Sequence, residues 1–185
     1  KSLEELNTQL IEENKLPINI GIGLNTGEAV VGNMGSDQRF DYSCLGDAVN
    51  LAARLEGQTK GYGVKILFGE ETAKNLSSKH TVLELDSIAV KGKTEPVAIY
   101  TVLDPEVVNI YDIPSMKQYT DLHIKLRESY IKQDWKHCED LIDNLMGQFS
   151  GSLDSYYEII LERIQGFKTN PPSKDWDGVY IATTK

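Results

Sequence analysis

Residues 39–56, RFDYSCLGDAVNLAARLE, constrain the fold of this chain more tightly than any other stretch. Residues 42–45 are β-prone and mostly apolar, which predicts a short strand. Gly46 permits a tight corner, and Asp47 is a residue type that caps a following helix. Within that helix Val49, Leu51, Ala52 and Leu55 form an apolar stripe. Asn50 and Arg54 stand one turn apart, so they share a face and can reach one ligand. An amide beside a guanidinium suits an anion, and Arg is the side chain for planar phosphate recognition. On spacing alone the plainer reading, a polar face turned to solvent, is preferred.

The flanking segments read in the same way. Residues 2–14, SLEELNTQLIEEN, predict a helix with Ser2 and Glu5 as a capping box. Its apolar stripe is Leu3, Leu6, Leu10 and Ile11, and Pro17 follows its end. Ile18, Ile20, Ile22 and Leu24 alternate with polar or small residues, the strand period. Asn25-Thr26-Gly27 is the expected turn, with a returning strand over 28–32. These glycines lack the strand-to-helix setting of a dinucleotide fingerprint. They are read as permitting bends or close backbone approach, as at a dimer interface. Beyond the central helix, residues 58–63 break it, 64–68 predict a buried strand, 70–76 a short helix and 81–85 a strand. Residues 87–102 predict a hairpin turning at 91–96. That turn contains GKT, but a phosphate-binding P-loop would need Gly where Ser87 stands, and no helix follows.

Three ordered blocks, IGIGLNTGEAVVGNMGSDQRFD, YSCLGDAVNLAARLE and VKGKTEPVAIYTV, together resemble the C-terminal half of a class III nucleotidyl (adenylate/guanylate) cyclase domain over residues 1–103. The resemblance implies a mixed α/β (α+β) fold, the ferredoxin-like sandwich of that family, of which this chain would hold the later part. It gives Asn50 and Arg54 catalytic roles on the ribose and phosphate of a nucleoside triphosphate. Arg54 would stabilise the transition state as the ribose 3′-oxygen attacks the α-phosphorus. Lys91, the first lysine of V-K-G-K, would reach the terminal phosphates; the plainer alternative is a turn lysine in solvent.

Ser43, three residues before Gly46, falls on the family's base-reading strand position. Adenine-selective members carry Asp, Thr or Ser there and guanine-selective members usually Cys; Cys44 is adjacent but points to the opposite face of a strand. A hydroxyl can accept from an adenine amino group or donate to a guanine carbonyl. ATP is therefore favoured and GTP stays open. The implied function is an adenylate cyclase that makes 3′,5′-cyclic AMP and pyrophosphate in intracellular signalling, with a guanylate cyclase as the alternative.

The resemblance also implies two Mg²⁺ or Mn²⁺ ions and an active site shared across a homodimer. The metal carboxylates belong to strands upstream of the family's equivalent of the first helix. The chain opens at Lys1 directly in that helix, so it is read as a fragment, inactive alone, with no metal ligands of its own. Two readings from other classes stay open. One is a cyclase-like dimerising or nucleotide-sensing module that has lost catalysis. The other is a helical protein-interaction domain centred on residues 115–168.

Residues 104–185 differ in character. Pro105 and Pro114 mark a linker, and three helices are expected after it. The first opens with Ser115 and Gln118 as a capping box, the second near Asp134, and the third after Gly151-Ser152, ending at Pro171-Pro172. The final DWDGVYIATTK is too apolar for a free tail and is expected to pack back. The segment resembles C-terminal extensions of some bacterial cyclases and, superficially, one tetratricopeptide-like helix pair, which cannot bury its own face. An internal brace or a dimer contact is the expected role. His80, His123 and His137 form no metal or triad pattern and are expected on the surface.

A net charge of −9 argues against nucleic acid as a partner. The two cysteines, Cys44 and Cys138, fit a reducing compartment rather than a disulfide framework. Asn75-Leu76-Ser77 matches a glycosylation sequon that such a compartment would leave unused. No stretch approaches the roughly twenty apolar residues of a membrane span. The expected location is cytoplasmic, with no membrane contact by this segment, although a parent protein could be anchored elsewhere.

Overall fold

The computed structural model describes residues 2–36, 39–76, 80–89, 95–103 and 115–181, with the backbone alone at Arg39 and Phe40. Lys91 and the linker at 104–114 lie outside the described residues. The fold is mixed α/β. Its centre is a sheet in the order β1 (Ile22–Leu24), β4 (Ile66–Gly69), β6 (Val97–Leu103), β5 (Thr81–Ala89) and β7 (Val179–Ile181). The β1–β4 and β5–β7 pairs are parallel, while β4–β6 and β5–β6 are antiparallel. A separate two-stranded ribbon joins β2 (Val30–Ser36) to β3 (Arg39–Leu45), with Val30 opposite Leu45 and Ser36 opposite Arg39.

Helix α2 (Asp47–Gln58) covers the sheet at β1 and β4, with Leu51 and Leu55 buried. The same core is shared by α4 (Met116–Ile131), α5 (Trp135–Leu145) and α6 (Asp154–Thr169), with α4 packed on β5 and α6 against the turn that follows α2. One continuous core runs from Leu55, Leu67 and Ile99 into Leu126, Ile142 and Ile160. The apolar tail packs back over its described residues, 175–181. Trp176 joins Tyr130, Trp135 and Phe167 in an aromatic cluster with ring centroids 5.2–6.2 Å from one another. Trp176 also donates to the Val179 carbonyl at 3.0 Å, which turns the chain into β7.

Several local expectations need correction. The strand predicted over 18–24 is confined to Ile22–Leu24, because Ile18 spends its backbone groups on α1 (Ser2–Glu12). The Asn7 side chain accepts from the Ile18 N–H at 2.7 Å and donates to its carbonyl at 2.8 Å. The strand after the Asn25-Thr26-Gly27 turn pairs with β3 rather than folding back on β1. The α1 stripe is only partly covered among the described residues: Leu3 and Leu10 are half-buried, while Leu6 and Ile11 stay exposed. Gly46 takes the cap position of α2 and places Asp47 in the first turn, where its charge still complements the helix dipole. Ser115 caps α4 without a side-chain bond, so no capping box forms there. Asp134 does cap α5, accepting from the His137 N–H at 3.2 Å.

Candidate functional site

The position of α2 is set by close backbone approach. A Cβ on Gly23 would come within 2.1 Å of the Ala52 carbonyl oxygen and 2.4 Å of the Glu56 nitrogen. Only glycine lets β1 lie flush beneath the helix, so its reason for being there is found within the chain. Asn25 ties the start of the helix to the same strand by donating to the Ala48 carbonyl at 3.2 Å. With Leu51 and Leu55 facing the sheet, Asn50 is exposed and Arg54 half-buried on the outer side. Neither side chain makes a hydrogen bond or ion pair among the described residues. An oriented amide and guanidinium without protein partners can receive an anionic ligand at little cost in broken contacts.

Ser43 lies on β3, the strand that leads directly into α2, opposite Gly32 across the ribbon. Its side chain is exposed, and so is that of its neighbour Cys44 opposite Val31. The ribbon carries uncovered apolar surface as well, with Val30 at 69% and Tyr42 at 77% exposure. Asn50, Arg54 and Ser43 thus sit on one contiguous strand–corner–helix unit, while Lys91 lies outside the described residues. Among the described residues no three His, Cys, Asp or Glu side chains gather to hold a metal ion.

A buried polar cluster centred on Asp86 is not among the residues singled out from the sequence. Asp86 is fully buried on β5, at a bulge that shifts the pairing with β6 between Glu84 and Asp86. Arg163 of α6 donates to its Oδ2 at 2.7 Å and Arg127 of α4 to its Oδ1 at 3.1 Å. The Tyr62 hydroxyl donates to Oδ2 at 2.7 Å, and the Ser87 N–H to Oδ1 at 2.9 Å. Burial first, and then the Asp86 carboxylate, raises the Tyr62 phenol above its usual range and keeps it a donor.

The two preceding residues of β5 are anchored by the same helices. Tyr156 donates to the Leu85 carbonyl at 2.7 Å, and His123 Nε2 lies 2.7 Å from the Glu84 carbonyl. Because a carbonyl can only accept, Nε2 carries the proton. Nδ1, 3.1 Å from the Tyr157 hydroxyl, then accepts. Burial lowers the His123 pKa to about 4, against the opposing pull of the Glu84 carbonyl. His123 is thus a core residue, contrary to the surface position expected, whereas His80 and His137 are exposed.

A signal for this cluster existed. Arg127 falls at the fourth step from His123 and next to Leu126, inside the stripe that buries α4, and Arg163 precedes Ile164 at a similar position on α6. A charge in a buried stripe requires a buried counter-charge, but nothing local said which residue supplies it.

Comparison with known proteins bears on residues 2–104, which match the family model described as the adenylate and guanylate cyclase catalytic domain. An adenylate cyclase of Anabaena cylindrica is 46% identical over 88 residues, covering 46% of this chain and 18% of that protein. The terminal-differentiation-specific adenylate cyclase of Dictyostelium discoideum is 39% identical over 92 residues, covering 48% of this chain and 4% of that one. The chain therefore spans less than a fifth of the length of these relatives. The crystal structure of the adenylyl cyclase CyaB from P. aeruginosa superposes with a TM-score of 0.50 at 36% identity, covering 56% of this chain and 52% of that one.

Proposed function

The chain belongs to the adenylate and guanylate cyclase catalytic domain family, and from that premise we propose that it supplies the nucleotide-positioning half of a site converting ATP to 3′,5′-cyclic AMP and pyrophosphate. The observation that carries this reading is the pair Asn50 and Arg54, held on one outer face of α2 with no protein partner among the described residues. In the reaction the ribose 3′-oxygen bonds to the α-phosphorus, the bond from that phosphorus to the bridging oxygen breaks, and pyrophosphate leaves. Asn50 orients the ribose. Arg54 meets the charge that builds on the α-phosphoryl oxygens, where an oriented donor contributes most. Ser43 reads the base from the strand entering the helix, and Lys91 reaches the terminal phosphates.

The divalent ions, Mg²⁺ or Mn²⁺, are assigned to carboxylates outside the described residues, since these assemble no such group. A homodimer would bring the two half-sites together, with Arg54 acting on nucleotide bound by carboxylates of the other protomer. On this reading the 185-residue chain makes no cyclic nucleotide by itself.

The test is complementation in the longer protein that carries this chain. One dead variant has Arg54→Ala and the other lacks a metal-binding carboxylate. In a mixed dimer one site takes both lesions and the other neither. If half the dimers are mixed, about a quarter of normal activity should return. A mixture that stays dead after verified subunit exchange rules out the shared site. Turnover of GTP in place of ATP would move the substrate to the guanine nucleotide and leave the role of Arg54 standing.

A further inference from the structure

The far end of α2 is gripped by the helical extension. After Gln58 the chain makes a single 3₁₀ turn, residues Lys60–Tyr62, that ends at Gly63 in the left-handed region at φ +64°. Any side chain at Gly63 would strike the first turn of α6, since its Cβ would lie 2.7 Å from that of Ser155. Thr59, buried at the junction, accepts from the Val64 N–H through its carbonyl at 3.1 Å and donates from its hydroxyl to the Glu56 carbonyl at 2.7 Å. The last turn of α2 is therefore locked to the 3₁₀ turn.

Tyr62 then carries that turn to Asp86. Arg163 meets the same carboxylate oxygen, and its guanidinium carbon lies 4.8 Å from the centre of the Tyr62 ring and 3.6 Å from that of Tyr180 on β7. Tyr62 is thus held at its hydroxyl by Asp86 and on its face by Arg163. Asp86 is fixed in turn by Arg127 from α4.

We propose that Arg163 and Asp86, acting through Tyr62, are positioning residues for α2, so that the C-terminal extension sets the placement of Asn50 and Arg54. None of the three touches the proposed nucleotide. They act by fixing the helix that does, and a small misplacement of a transition-state donor lowers turnover steeply. The inference rests on the reading of Arg54 for its effect on turnover, but the mechanical link can be read without any turnover.

The experiment uses the longer protein that carries this chain, with Tyr62→Phe as the first variant because it removes one hydroxyl and keeps the ring. Hydrogen–deuterium exchange is followed over residues 47–58 and, as an internal reference, over β4 and β6. Losing one hydrogen bond to a buried carboxylate should speed exchange in α2 about tenfold while the reference strands stay unchanged. Cyclase kcat should fall roughly three- to tenfold at little-changed KM, as expected of a contact that matters most in the transition state.

Arg163→Lys keeps the charge but not the planar stacking, and should produce the same pattern more weakly. Tyr157→Phe weakens the same helix–sheet interface through His123, without touching Tyr62, and should leave α2 exchange at its wild-type rate. If Tyr62→Phe leaves α2 unchanged, or if Tyr157→Phe loosens α2 equally, the Tyr62 route is overturned. If α2 loosens and kcat does not move, the tether stands and the role assigned to Arg54 falls instead.

Discussion

Two regions of the molecule are finished to different degrees. On the extension side, Asp86, His123, Tyr156, Tyr157 and Arg163 are packed among helices, and each has a hydrogen-bond partner within the chain. On the side of β3 and the outer face of α2, the Asn50 and Arg54 side chains are without such partners among the described residues, Ser43 is exposed, and Tyr42 and Leu45 keep more than half their surface in solvent. Apart from Arg127 Nε and the Tyr130 hydroxyl, which are buried without a hydrogen bond, the first region has used its polar groups to fix structure; the second holds them available. Substitutions in the first should therefore cost stability. Substitutions in the second should cost turnover at constant stability.

The strongest way to break that contrast is to delete residues 104–185. Leu85, Asp86 and Ile88, all buried, would face solvent and two anchored carbonyls of β5 would lose their donors. The expected result is loss of the cooperative thermal transition of the cyclase portion. A normal transition after deletion would show that the helices are an independent module.

Next in size is Asp86→Ala, which leaves two arginines buried without a counter-charge. Breaking such a group by removing one member costs about 3–5 kcal/mol, measurable by urea denaturation. Arg54→Ala should stay within about 0.5 kcal/mol in the same measurement, yet lower kcat by roughly 10²–10³ with a much smaller change in KM. A destabilised Arg54→Ala protein would erase the distinction between the two regions.

His123 gives the buried side a pH dependence. Around its ring stand Arg127 on its own helix, Tyr156 and Tyr157 of α6, and the Glu84 carbonyl of β5. The folded pKa is lowered to about 4 from an ordinary 6.5. The unfolded chain therefore takes up the proton first as pH falls. The contribution is fully present above pH 6.5 and is lost progressively towards pH 4, a change of about 3 kcal/mol. Unfolding of His123→Gln at neutral and acid pH should show a shallower loss than the wild type. An equal slope would mean that the imidazole is not held neutral in the core.

The smallest effect sharpens the open side. Ser43→Ala should weaken discrimination between ATP and GTP by about 0.5–1.5 kcal/mol, the worth of one hydrogen bond. Cys44→Ala should leave it alone. The opposite outcome would place the base one residue further along β3.

Much of the open side was legible in the chain, because its determinants are close in sequence. The strand, the Gly46 corner and the 3.6-residue spacing of Asn50 and Arg54 lie within residues 39–56. The family motifs fall in the same part of the chain, and the matched region ends at residue 104. Where reading failed there, a neighbour had intervened. Asn7 took the backbone of Ile18 out of the predicted strand, and β2 found β3 instead of β1.

By itself, then, the sequence determined the elements, the face that carries Asn50 and Arg54, the family, and the need for the apolar tail to pack. Only the tertiary structure decided which charges are buried and with whom. Asp86 meets Arg127 across 41 residues and Arg163 across 77, and it becomes a core group only because α4, α6 and β7 close over a bulge in β5. Periodicity reports which side of an element faces inward. What stands opposite is fixed by packing between distant segments, and the cost of burying a charge depends entirely on that partner.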